Sequence, residues 1–195
     1  MPDTDVIDTV LGIGPGHPLA PIRARRPEAK AQAETSYRAL FAPATPGDVS
    51  LEERFALAVF VTGLHSPAAE IGKYYGARLA SAPLRQAVGA AIAEATGQGP
   101  YGSYPAGPLS HEDKPGSVYR AGAATRGSLG ARLAAAFEHV HMLVYHPRDA
   151  APPALQALLD AGWSTTGIVT LSQLVAFLSF QIRVIAGLGT LSGHR

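Results

Sequence analysis

The chain has 195 residues, 47% of them hydrophobic, which predicts one globular domain with a sizeable core. Because 16 Lys and Arg balance 15 Asp and Glu, the charge does not favour a nucleic acid or an anionic membrane surface as a partner. The absence of cysteine excludes disulfides, thiolate nucleophiles and cysteine-ligated metal centres.

The first 26 residues are rich in Gly and Pro and have no sustained apolar period, which predicts an extended N-terminal arm outside the core. The chain opens with Asp3 and Asp5 and lacks the basic start and apolar run of a secretory signal, so we expect a cytoplasmic location. The glycine run at residues 12–16 is interrupted by Pro15, and no strand pattern precedes it. It therefore does not predict a phosphate-binding loop.

Apolar residues at helical spacing predict an all-α domain over residues 27–195. Ser50 and Glu53 have the spacing of a capping box, which predicts a helix over residues 51–64. Further helices are predicted over residues 27–41, 67–80, 83–95, 124–145, 152–161 and 164–188. Residues 96–121 are dense in Gly, Pro, Ser and Tyr, which predicts a long loop between two helix-rich halves.

The stretch over residues 168–191 is long and apolar enough to span a bilayer. It also carries Gln173, Gln181 and Arg183, which are costly in lipid, so we interpret it as a buried core helix and expect no membrane partner. Arg183 is expected to meet a carboxylate, backbone carbonyls or a bound anion.

Three stretches of sequence carry a family resemblance. Residues 133–149 read LAAAFEHVHMLVYHPRD, residues 158–164 read LLDAGWS, and residues 177–189 read FLSFQIRVIAGLG. Together with the helix pair over residues 51–79, they resemble the peroxidase-related branch of the AhpD-like, or carboxymuconolactone decarboxylase (CMD), superfamily. The resemblance covers roughly residues 30 to 190 and implies an AhpD-like helical domain that forms homo-oligomers.

Peroxidases of that family resemble one another in a Glu, a Cys-x-x-Cys motif and a following His. The corresponding places here are Phe55, residues 67–71 and Tyr75, so nucleophile, base and relay are all missing. The resemblance therefore implies fold and assembly better than activity, and we predict no thiol peroxidase chemistry and no cofactor.

The resemblance also directs attention to the joint between the helices over 51–64 and 67–80, where Ser66 would cap a helix that begins at Pro67. The candidate catalytic residues are His65, Tyr75 and His141, and the candidate ligand-binding residues are Glu70, Phe177 and Arg183. The structural alternatives are that His65 is a helix-end residue and that Tyr75 is a packed ring with its hydroxyl satisfied.

A second face lies on the helix over 124–145. Glu138 and His141 have the E-x-x-H spacing of di-iron helical proteins, but the sequence has no second copy, so we predict no metal site. A mononuclear site would need His139, His141 or His146 to converge with Glu138. The Glu138/His141 face is also the alternative place for a ligand.

Three functions follow as hypotheses. The first is a CMD-like protein without redox cysteines that binds a small organic molecule between helices, with acid/base chemistry; as an enzyme it would be a non-thiol lyase or decarboxylase. The second is a non-catalytic oligomeric subunit or scaffold, with a cysteine-bearing paralogue as a partner. The third is a nominal alkylhydroperoxidase activity, which the composition contradicts.

Overall fold

The structure is a computed structural model that describes residues 5–65 and 69–193. Within these residues the chain forms α-helices and no β-strand, which confirms the all-α prediction. The helices are α1 (Val6–Leu11), α2 (Ala20–Ala24), α3 (Pro27–Phe41), α4 (Leu51–Leu64), α5 (Ala69–Gly76), α6 (Ala82–Ala95), α7 (Ala123–Tyr145), α8 (Pro152–Asp160) and α9 (Thr165–Leu191).

Helix α4 forms the centre of the core, and α5, α6, α7 and α9 pack around it. Its start has the predicted capping box: the Glu53 amide donates to Ser50 Oγ at 3.2 Å, and the Ser50 amide donates to Glu53 Oε2 at 2.8 Å. Phe60 is fully buried and stacks on Phe137 of α7 with ring centroids 4.2 Å apart. This aromatic pair joins α4 to α7.

The connection between α3 and α4 is held by a buried guanidinium. Arg54 donates hydrogen bonds to the carbonyls of Leu40 at 2.7 Å, Pro46 at 2.6 Å and Val49 at 3.0 Å. These carbonyls lie outside the helical hydrogen-bond ladders, so Arg54 satisfies backbone groups that the turn would otherwise bury without partners.

Helix α9 is apolar and, by length and composition alone, long enough to cross a membrane. One of its faces is nevertheless buried among other helices of the chain, as the core-helix interpretation predicts. The fully buried residues of that face include Leu171, Leu174 and Leu178. Helix α9 packs against α1, α3, α4, α7 and α8.

The segment before residue 27 differs from the extended arm that the sequence predicts. It contains α1 and α2, and Val6 and Ile7 belong to the hydrophobic core. Asp5 caps α1, and Arg23 donates to Asp5 Oδ2 at 2.5 Å and to Asp8 Oδ1 at 2.8 Å. Capping and ion pairs fold this segment, and neither produces an apolar period in the sequence.

The remaining predicted elements agree closely with the structure. The 96–121 segment has no α-helix or named strand, only a 3-10 turn at Ser110–Glu112 and an isolated bridge between Gly102 and Lys114. Helix α5 is described over Ala69–Gly76, and the predicted cap Ser66 and first-turn Pro67 lie outside the described residues.

Candidate functional site

The buried Tyr75 does not offer its hydroxyl to a ligand. The ring is fully buried, and its hydroxyl donates to Gln181 Oε1 of α9 at 2.7 Å. Phe41 packs against it with ring centroids 4.9 Å apart, and burial raises the tyrosine pKa well above its ordinary value. These contacts match the structural alternative, a packed ring that ties α5 to α9.

The other residues of the predicted joint do not converge on one cavity. His65 ends α4, and its Nδ1 lies 2.8 Å from the Val61 carbonyl. Glu70 is exposed and pairs with Lys73 at 2.8 Å. Burial lowers the pKa of His65, and the positive charge of Arg183 acts in the same direction.

Arg183 and Phe177 lie along α9 in different surroundings. Arg183 is exposed and donates to the Ser179 carbonyl at 2.9 Å, so it meets one of the predicted kinds of partner on its own helix. Phe177 is half-buried and lines a groove of about 620 Å³ between α3 and α9 together with Phe180. Phe180 is 45% exposed.

A pocket beside α7 and α8 has more ionisable side chains in its lining, and we call it the histidine pocket. Its volume is about 620 Å³. It is lined by Val118, Arg120, Arg126, Ala135, Glu138, His139, His141, Met142, His146, Asp149, Ala151, Pro153, Ala154 and Ala157. Neither this pocket nor the α3/α9 groove is lined by His65, Glu70 or Tyr75.

A kink in α7 assembles the charged side of this pocket. In a straight helix, residues 126 and 138 would be about 18 Å apart along the axis. Gly130 breaks the helix with φ 77° and ψ 159°, a conformation essentially confined to glycine. The bend allows Arg126 Nη2 to contact Glu138 Oε1 on the next segment of the same helix.

Glu138 forms ion pairs with two arginine side chains. Besides Arg126, it accepts from Arg120 Nη1 at 3.4 Å and from the Ala121 amide at 3.0 Å. The side chains of Arg120 and Arg126 are 70% and 43% exposed, whereas that of Glu138 is 13% exposed. Two guanidinium groups therefore share the Glu138 carboxylate, and Asp149 is a second carboxylate among the residues that line the pocket.

His141 is a buried, neutral imidazole in this pocket. Its ring lies among the rings of Tyr119, Tyr145 and His146, with centroids 5.6, 4.9 and 5.7 Å away. Burial lowers its pKa from 6.5 to about 4, helped by the nearby His146 and opposed by a hydrogen bond to the Ala95 backbone. A neutral imidazole has one donor and one acceptor nitrogen.

His139 contributes a polar atom without a partner. The residue is 6% exposed, and its Nδ1 has no hydrogen-bond partner among the described residues. Burial lowers its pKa, while a hydrogen bond to the Ala154 backbone opposes the shift. The Nδ1 atom has almost no accessible surface, so it is shielded from the pocket as well as unpartnered.

His146 lies where α7 ends and has acceptors on both sides. Its Nδ1 lies 3.0 Å from Asp149 Oδ2, and its Nε2 lies 2.9 Å from the Ser117 carbonyl. These contacts fix the 96–121 loop, through Ser117, against the end of α7.

The histidines do not form a metal centre in this arrangement. Within the described residues, no three His, Cys, Asp or Glu side chains converge in a way that could hold a metal ion. His146 uses both nitrogens on protein groups, and Glu138 is engaged by arginines, so the mononuclear site considered from the sequence is not assembled.

Sequence reasoning identified part of the pocket and missed its cationic side. The E-x-x-H spacing pointed to Glu138 and His141, and the same stretch drew attention to His139 and His146. Arg120 and Arg126 gave no local signal, because their approach to Glu138 depends on a kink and a loop that no periodicity reveals.

Comparisons of the chain with protein-family models, with curated proteins and with solved structures found no match. The AhpD-like assignment therefore stays a prediction from the sequence motifs.

Proposed function

We propose that this chain is an AhpD-like, cysteine-free protein of the cytoplasm that binds a small organic molecule in the histidine pocket. The observation that carries the proposal is the pocket itself, a cavity of about 620 Å³ whose lining brings together Glu138, His139 and His141. A concave site with apolar walls and a few polar side chains is the usual form of a small-molecule binding site.

His141 supports an acid/base role at the same site. A ring that is neutral at physiological pH can accept a proton from a bound molecule, and its burial excludes bulk water from the transfer. Because its low pKa makes the His141 ring a weak base, we expect it to accept a proton only from substrates whose proton is acidic. The joint of α4 and α5 is a weaker candidate, because Tyr75 is sealed and Glu70 faces solvent.

A library of small polar organic molecules, screened by thermal shift against the full chain, tests the proposal. We expect His139→Phe and His141→Gln to abolish the ligand-induced shift that the native chain shows, while His111→Gln on the exposed loop leaves it intact. Equal shifts in all of these variants would contradict a site in the histidine pocket. A shift lost only in His65→Ala would return the site to the α4/α5 joint.

The filled joint favours a second candidate function, an oligomeric scaffold. Tyr75 and Gln181 close the space where the family's redox chemistry would lie, and α9 exposes apolar residues such as Phe180. In this case the chain keeps a homo-oligomeric helical shell and pairs with a cysteine-bearing paralogue. A chain that assembles but gives no pocket-dependent ligand shift would support the scaffold.

A further inference from the structure

The exposed face of α9 carries almost no charge. It consists of exposed residues spaced alternately by three and four along the helix, namely Thr166, Val169, Gln173, Ala176, Phe180, Arg183, Gly187 and Thr190. The face runs for about 36 Å along the helix. A helix face in contact with water usually carries several charged side chains, whereas Arg183 is the only charged residue of α9. The composition of this face is therefore closer to that of a contact between two helices.

Gly187 on this face has no packing role within the described part of the chain. A Cβ at this position would meet nothing within 4 Å, and the glycine does not have a positive φ. Glycine inside a helix is destabilising relative to alanine, so the single chain gives no physical reason for it. A second helix that approaches closely at this point would give one.

The α3/α9 groove lies beside the same face. It shares Gln173, Ala176 and Phe180 with the exposed face, and its volume is about 620 Å³. Its α3 wall is uncharged and consists mostly of small side chains, namely Ala29, Gln32, Ala33, Ser36, Ala39 and Leu40. The groove can therefore receive an apolar side chain from another molecule.

We propose that a second copy of this chain packs on the exposed α9 face as an antiparallel helix, with Phe180 of each copy against Ala176 of the other. The spacing of the face is the same when it is read in either direction. In this register every position therefore has a partner: 166 faces 190, 169 faces 187, 173 faces 183, and 176 faces 180. The inference goes beyond the proposed ligand site, because no α9 residue lines the histidine pocket.

The side chains that face each other in this register are complementary in size. Phe180 lies opposite the small Ala176, and because Ala176 lines the α3/α9 groove, the ring enters the groove there. Val169 lies opposite Gly187, where the missing side chain leaves room for it. Alternation of large and small side chains is the pattern that lets two helices interdigitate.

Charge also favours the antiparallel arrangement. Arg183 lies opposite Gln173, whose amide oxygen can accept from the guanidinium. In a parallel pair, Arg183 would lie against Arg183 of the other copy, and α9 contains no carboxylate to offset the repulsion. A parallel pair would also place Phe180 on Phe180 and leave a gap where Ala176 meets Ala176.

An exchange of side-chain size tests the register. Analytical ultracentrifugation over a concentration series measures the dimer Kd of the full chain. Phe180→Ala should raise this Kd at least about tenfold because two rings are lost, and Ala176→Phe should raise it because two pairs of rings collide. The double variant Phe180→Ala, Ala176→Phe should return the Kd to within about threefold of the native value, since large and small side chains have only exchanged places. Leu109→Ala, at an exposed loop position, is the control and should leave the Kd unchanged.

The cysteine-free sequence allows a second, independent readout. Chains with Thr166→Cys and chains with Thr190→Cys, mixed and oxidised, should form a disulfide-linked pair, because these positions face each other. Each variant alone should not cross-link, since its own two thiols lie about 36 Å apart along the helices. Mixing Thr166→Cys with Ser128→Cys, an exposed position on α7, is the control.

Four results would overturn the inference. The first is a native chain that stays monomeric at the highest soluble concentration. The second is an oligomer in which the double variant associates no more tightly than the single variants. The third is cross-linking of Thr190→Cys with itself, which would indicate parallel helices. The fourth is binding of the native chain to phosphatidylcholine vesicles that Phe180→Ala abolishes, without a cross-linked pair, which would assign the exposed α9 face to a lipid surface.

Discussion

At the residue scale, the hydrogen bond between Tyr75 and Gln181 ties α5 to α9 inside the core. Gln181 is 1% exposed, so Tyr75→Phe would leave its Oε1 buried without that donor. We predict that this change lowers the free energy of unfolding by about 1–2 kcal/mol, as urea denaturation can measure.

The double variant Tyr75→Phe, Gln181→Leu should recover part of that loss, because both polar partners are then replaced by apolar groups. Tyr104→Phe is the control, since the Tyr104 hydroxyl has no hydrogen bond within the described part of the chain. A loss no larger than that of the control would refute the structural role of Tyr75.

His141 makes the stability of the protein depend on pH. Its pKa falls from 6.5 in the unfolded chain to about 4 in the fold, so the unfolded chain binds more protons between these values. The stability from the neutral ring is therefore full above pH 6.5 and is lost as the pH falls towards 4. We predict a loss on the order of 2–3 kcal/mol across this window.

Urea denaturation at several pH values compares the native chain with His141→Leu, which should show a smaller loss over the same range. His65 and His139 also have lowered pKa values and contribute in the same direction, so the difference between native chain and variant isolates His141. An NMR titration in which the His141 ring protonates near pH 6.5 would contradict the prediction.

The candidate site was only partly predictable from the sequence. The spacing of Glu138 and His141 pointed to α7, and the structure has the histidine pocket beside that helix. The Tyr75 ring is buried beside α9, and its hydroxyl already donates to Gln181. Residue spacing in the sequence does not show whether a hydroxyl has a hydrogen-bond partner.

At the element scale, a cap or a proline marked the starts of several helices in the sequence. The capping box at Ser50 and the first-turn proline at Pro27 gave α4 and α3 their observed starts. The N-terminal segment was not predictable in this way, because the partners of Arg23 that fold it are 15 and 18 residues away in sequence.

The kink of α7 is the element on which the charged side of the pocket depends. Gly130 has φ 77° and ψ 159°, so a side chain there is strained even though a Cβ would meet nothing within 4 Å. We predict that Gly130→Ala lowers the free energy of unfolding by about 1–3 kcal/mol. Straightening the helix would also separate Arg126 from Glu138.

Gly127→Ala on the same helix is the matched control. Gly127 is exposed and has open space around its Cβ position and no positive φ, so alanine should raise the free energy of unfolding by about 0.5–1 kcal/mol. Thermal or urea unfolding of the two variants compares them. Equal effects of the same sign would show that the kink does not require glycine.

At the scale of the whole molecule, α9 has one buried face and one exposed face. One face is buried in the core, and the other exposes Val169, Phe180 and Leu191, which are 56%, 45% and 67% exposed. These three residues are spaced by 11, about three helical turns, so they lie along one line on the helix. Within α9 the only charged residue is Arg183, which leaves this line largely apolar.

An apolar line of this length on an isolated chain favours burial against another protein surface. We predict a homo-oligomer, a dimer or a trimer, in which α9 packs against a second copy. Phe180→Asp should lower the mass measured by light scattering at micromolar concentration, because it places a charge where an apolar ring is buried. Leu109→Asp, at a 50% exposed position on the loop, should leave the mass unchanged. A native chain that is monomeric under the same conditions would refute the assembly. An oligomer whose mass does not change with Phe180→Asp would place its interface on another face of the molecule.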